Sequence, residues 1–190
     1  SFAATIALVA ALRRMWENRG EDPDPGPAEG VINSVDEARK FLHAVETKLA
    51  ELESRGVNVW DQNYRPVAGT NPQKYDVSYG KDCERDLQPL CEAALAALKG
   101  GVYAVFVDTK GYAAIHNLKF SKPLTGNYDV DLAGNRTRRI FEDPTGQRAA
   151  KNQLPLLLQT YARDTGEILS EINLPIKVNG SGDVTAALFT

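Results

Sequence analysis

The residues best able to do chemistry in this chain lie between positions 112 and 161. Arg136, Arg138 and Arg139 fall within four positions of each other, with Lys119 upstream. Guanidinium forks hold carboxylates or phosphates by two-point contact, so this cluster suits a small anionic ligand. The competing use is bracing, because Asp129, Asp131, Glu142 and Asp143 flank the arginines and can pair with them. His116 is one of only two histidines, and Asn117 follows it. An imidazole there can fix a loop, hydrogen-bond an organic ligand, or ligate a metal or haem iron; all three uses stay open. No Cys-x-x-Cys-His accompanies it, so covalently attached haem is not expected. Tyr112 and Tyr161 offer hydroxyls and Phe141 an aromatic wall, although aromatics of this kind also simply fill cores.

Catalytic signatures are missing from the sequence. There is no Gly-x-x-x-x-Gly-Lys-Ser/Thr loop, Gly180 and Gly182 lack the third glycine of a dinucleotide fingerprint, and no nucleophile elbow occurs. Two cysteines and two histidines without chelating spacing do not make a zinc site. A binding protein is expected rather than an enzyme. The net charge of −3 lacks the basic bias of a nucleic-acid binder, although eight basic residues against four acids between 110 and 151 leave room for a local basic patch. Cys83 and Cys91 are expected in one helix, about 12 Å apart along its axis at ~1.5 Å per residue. That is too far to bridge, so both read as reduced packing residues, and the reading leans towards the cytoplasm.

The elements that must position these residues are legible from punctuation and period. Ala3 to Glu17 reads as a short apolar helix, which packs or dimerises, or else ends a membrane helix; no basic residue precedes it as in a signal peptide. Residues 20–30 (GEDPDPGPAEG) read as a linker. Ser34 to Arg55 is expected to be a helix, with Ser34 and Glu37 forming a capping box and Gly56 stopping it. Its apolar positions Val35, Ala38, Leu42, Val45, Leu49 and Leu52 repeat at spacings of three and four. That seam suits an amphipathic helix on a core, or a coiled-coil dimer interface. Residues 56–74 look irregular, and a second helix from Tyr75 to Lys99 should be kinked or divided by Pro89.

From Val102 the period changes to that of strands. Val102 to Asp108 is a strand, residues 108–111 a hairpin turn, and Tyr112 to Asn117 the return strand. A long crossover, Leu118 to Asn152, precedes strands at 154–163, 167–178 and 184–189, with tight turns at 164–166 and 179–180. The fold class is therefore α+β: N-terminal helices, then a five-stranded antiparallel sheet with a long crossover between its second and third strands. Three segments are expected: 1–30, helix and linker; 31–100, helices packing on the sheet domain; and 101–190, the sheet domain itself. A crossover that long is usually functional.

Several stretches resemble a known module: Tyr64-Arg65-Pro66 with Gly69-Thr70-Asn71-Pro72-Gln73, Gly111-Tyr112 with His116-Asn117, Asn135 through Phe141, Leu157 through Tyr161 with Arg163 through Gly166, and Pro175-Ile176 with Val178-Asn179-Gly180. Together, in this order, they resemble the PAS/Cache-like sensor module of bacterial methyl-accepting chemotaxis proteins. The family's Asn-Gly turn is usually followed by His-Trp-Gly and an arginine; here Ser181-Gly182-Asp183-Val184-Thr185 stands instead. The resemblance implies a ligand pocket between the sheet and the crossover, lined by His116, Asn117, Lys119, Arg136, Arg139, Phe141, Tyr112 and Tyr161. It implies a small-molecule ligand, with an anion favoured, and haem as the alternative through His116. It also implies a signal relayed through helices to the signalling domain of a receptor, and homodimerisation through the 34–55 helix. A ligand-free dimerisation scaffold is the rival reading. The module would sit in the cytoplasm, either alone or in a membrane-anchored receptor.

Overall fold

The computed structural model describes residues 27–98, 100–162, 168–178 and 181–189, of which 27–31 and 181–189 are described in backbone only. The expected helix at 3–17, most of the linker, and the turns at 164–166 and 179–180 lie outside the described residues. The first helix, α1, spans Pro27–Ser54, so it begins seven residues before the expected cap at Ser34. Pro27 is no obstacle there, because the first-turn N–H groups of a helix have no intrahelical partner for a proline to remove. The stretch 27–30 is therefore helix rather than linker.

Ala38, Phe41, Val45, Leu49 and Leu52 form the buried face of α1, with Leu42 and Val35 at its margin. This face packs inside the chain against the sheet and the third helix. The predicted seam is thus an amphipathic face on the chain's own core, and any pairing of two copies through this helix must use its other side.

Residues 56–74 are more ordered than the sequence suggests. Arg65–Val67 (β1) and Lys74–Asp76 (β2) form a small antiparallel hairpin. The helix expected from Tyr75 starts only at Gly80. It is two helices, α2 (Gly80–Asp86) and α3 (Gln88–Ala97), broken at Leu87 with Pro89 in the first turn of α3. Cys83 and Cys91 consequently lie in different helices; both are buried and unbridged.

The sheet is antiparallel, with strands β3 (Tyr103–Asp108), β6 (Leu157–Ala162), β7 (Ile168–Val178) and β8 (Ser181–Phe189) in the order β3-β8-β7-β6. It has four strands, not the expected five. The return strand of the first hairpin, β4 (Tyr112–Ala113), pairs instead with β5 (Arg139–Ile140) in the crossover. Side chains supply the reason. Asp108 accepts the N–H groups of Lys110 and Tyr112 at 2.9 and 3.0 Å and shapes the turn. Further along, the Asn117 amide oxygen takes the Ala104 N–H at 2.7 Å, where a fifth strand would supply a carbonyl.

Alternation along the strands divides the core into two layers. Ala104, Phe106, Ile172, Leu174 and Ile176 face α1, α2 and α3. Tyr103, Val105, Val107 and Leu169 face the crossover. Both faces are covered, which is why β3 reads as an unbroken apolar run. The crossover holds a 3-10 turn (Leu118–Phe120), α4 (Tyr128–Gly134), β5 and α5 (Pro144–Ala150). Asn127 caps α4 and Asp143 caps α5. No helix among the described residues is long and apolar enough to cross a membrane.

Candidate functional site

The crossover does not lie flat on the sheet. A cavity of about 420 Å³ separates them. The sheet contributes Tyr103, Val105, Val107, Tyr161 and Glu171, the crossover contributes Leu132, Arg136, Arg139 and Phe141, and His116 lies just before the crossover. Five of the eight predicted ligand-facing residues therefore line one cavity: His116, Arg136, Arg139, Phe141 and Tyr161.

The arginines are aimed by their backbone. Arg138 sits in the left-handed region at φ 56°, which an L-residue enters only when its surroundings enforce it. Its N–H donates to the Ala113 carbonyl at 2.7 Å and its carbonyl accepts from the Tyr75 N–H at 2.8 Å. Its guanidinium pairs with Asp76 at 2.7 Å, outside the cavity. Arg136 and Arg139, on either side, line the cavity. Nη1 of Arg139 donates to the Leu132 carbonyl at 3.1 Å, and its guanidinium lies 5.5 Å from the centre of the Phe141 ring. Arg136 lies 6.0 Å from the Phe120 ring centre, and its buried Nε has no acceptor among the described residues. A buried donor without an acceptor is costly, and Arg136 borders the cavity.

His116 is 2% exposed and packs against the rings of Tyr103 and Phe120, with centroids 5.2 and 4.9 Å away. Its Nδ1 accepts the Asn117 N–H at 2.9 Å. An accepting Nδ1 leaves the ring hydrogen on Nε2. His116 thus presents a hydrogen-bond donor, not the lone pair that haem iron or zinc requires. Among the described residues, no group of three histidine, cysteine or acidic side chains is arranged to hold a metal.

Three predicted residues lie elsewhere. Asn117 is fully buried and faces α3. Its Nδ2 donates to the Cys91 carbonyl at 2.9 Å and to Glu92 at 3.0 Å, while its Oδ1 takes the Ala104 N–H. The Tyr112 hydroxyl donates to the Tyr75 carbonyl at 2.8 Å, in the layer against the helices. Lys119 is exposed, with its ammonium 5.1 Å from the Phe120 ring centre. Gly111 explains the tight seat of the crossover. It has φ 83°, and a β-carbon there would lie 2.6 Å from the Phe141 carbonyl oxygen.

Sequence reasoning missed Glu171. It is 2% exposed and lines the cavity. Its Oε1 accepts from Gln159 at 2.7 Å and Asn173 at 2.8 Å. Burial pushes its carboxyl up to about 7, against those two donors, and Asp143 adds to the rise. The available signal was an acid in the middle of a largely apolar strand, where alternation puts it on the same face as Leu169 and Asn173.

The chain matches no family model and none of the curated proteins.

Proposed function

We propose that this chain is a PAS/Cache-like sensing module of a bacterial chemotaxis-type receptor, and that it binds a small organic anion between the sheet and the crossover. One observation carries the reading: Arg136, whose buried Nε has no acceptor among the described residues, lines a cavity of about 420 Å³. Pockets of this size with apolar walls and a few convergent polar groups are typical small-molecule sites. The order of elements supports it too, because strands from before and after the crossover share one sheet and the crossover covers one face.

The relay follows from β7. Glu171 on this strand faces the cavity, while Ile172, Leu174 and Ile176 pack in the layer containing α1. The Lys177 N–H donates to Glu46 of α1 at 2.8 Å, tying helix and strand together. A ligand that shifts the sheet relative to the crossover would move α1, provided it binds two arrangements with different affinity. The signalling domain of the receptor would read that movement.

A thermal-shift screen of carboxylates and organic phosphates tests the reading, with Arg136→Met as the control. At least one acid should raise the melting temperature of the wild type and leave the variant unmoved. If no member of either class shifts the wild type, or if the variant responds equally, the anion site is wrong.

A further inference from the structure

The cavity has a second pole, opposite in kind to the arginines. Glu171 Oε1 is saturated by the Gln159 and Asn173 amides, while no donor among the described residues reaches its other oxygen. Register reinforces the placement. Tyr103 pairs with Phe189, Phe189 with Glu171 and Glu171 with Gln159, so these positions form one row across the sheet. Directly opposed residues project to one face, and Glu171 thus rises from the cavity floor.

Burial raises the Glu171 carboxyl to about 7 against its two amide donors, and Asp143 adds to the rise. Tyr103 lines the same cavity and is near enough to both Glu171 and Arg136 to be influenced by each. Among the described residues, a donor at one pole lacks an acceptor and an acceptor at the other lacks a second donor. The walls between them are apolar and aromatic, from Val105, Val107 and Phe141.

Building on the anion reading, we infer that Glu171 is a ligand-contacting specificity residue: the cavity takes a carboxylate whose far end carries a hydrogen-bond donor, a hydroxyl or an N–H, and Glu171 receives that donor. The acid end fills the vacancy at Arg136, the apolar body lies along the valines and Phe141, and the donor meets Glu171. An unsubstituted acid of the same length leaves Glu171 facing an apolar group. A buried polar group deprived of its partner is the strongest basis for rejecting an analogue.

The test is a matched series measured by calorimetry at pH 8. Unsubstituted acids of three to six carbons are compared with their ω-hydroxy and ω-amino counterparts, and benzoate with 4-hydroxybenzoate. In the wild type, the donor-bearing member of at least one pair should bind about tenfold or more tightly, which is what one hydrogen bond to a charged group supplies. Glu171→Gln should erase that advantage for the ω-amino compound and leave the unsubstituted acid's affinity within about threefold, a little over half a kcal/mol. A preference confined to ω-amino acids assigns the far donor as an ammonium, and a preference shared with the hydroxy acids assigns it as neutral; both support the inference. Equal affinity within every pair, or a Glu171→Gln loss equal for both members, overturns it while leaving the anion site standing. Failure of every acid to bind removes both.

Discussion

Tyr103 and Tyr161 stand on the two outer strands of the sheet, and their hydroxyl oxygens meet at 2.8 Å. β3 and β6 are separated by β8 and β7, roughly 14 Å at the usual strand spacing. Two tyrosines reaching end to end close that gap only if the sheet curls towards the crossover. The pair is therefore a strut across the concave face, and it borders the cavity.

Removing either hydroxyl should cost about 1 kcal/mol, the net worth of one hydrogen bond. Tyr103→Phe and Tyr161→Phe should each lower stability by that amount in urea denaturation. The double variant should lose less than the sum, because the bond between the two hydroxyls is already gone in either single variant. Strict additivity would mean that the contact contributes nothing.

Asn117 should behave as a structural residue. Its side chain makes three hydrogen bonds, all largely shielded from water, joining β3 to α3. Asn117→Ala strands those partners and should cost about 3–5 kcal/mol, read as a large drop in melting temperature. A ligand contact with no role in the fold would leave the melting temperature of the unliganded protein within a degree or two.

Glu171 makes stability depend on pH with a definite sign. Its carboxyl is raised from the ordinary 4.5 to about 7. The folded state thus holds the proton more tightly than the unfolded chain, and the stabilisation is complete below about 4.5 and lost as pH rises through 7. The groups facing it are Gln159 from β6, Asn173 from its own strand, Asp143 from the start of α5 and Tyr103 from β3. Glu171→Gln should be more stable than wild type at pH 8, by up to about 3 kcal/mol, with the difference fading by pH 4. Parallel stability curves from pH 4 to 8 would show that the carboxyl titrates normally.

Gly111→Ala should destabilise the chain by about 2 kcal/mol or more, because it adds left-handed strain to a collision with a backbone oxygen. The collision is with Phe141, which lines the cavity, so ligand affinity should fall along with stability. Stability matching the wild type would show that the crossover can retreat freely.

The sequence revealed which residues converge better than it revealed how. The change of period at Val102, the long crossover and the clustered arginines were readable because each is local. The failures at the site were long-range. Nothing near Tyr112 shows that its strand pairs with Ile140 rather than with β3. Nothing near Asn117 shows that its amide is consumed by Ala104 and Cys91. Glu171 looked like one scattered acid among many until the register placed it beside Gln159. The seam of α1 was legible as a stripe, but a stripe does not say whether a partner chain or the chain's own sheet will cover it.

The position of β8 has a consequence for synthesis. β8, the last of the described strands in chain order, is inserted between β3 and β7, so β3 leaves the ribosome long before its neighbour exists. Until residues 181–189 emerge, the nascent chain holds an apolar strand with an unsatisfied edge and a β6–β7 ribbon with no means of joining it. A chain that stops short of Ser181 carries most of the core residues but lacks the strand that joins β3 to β7.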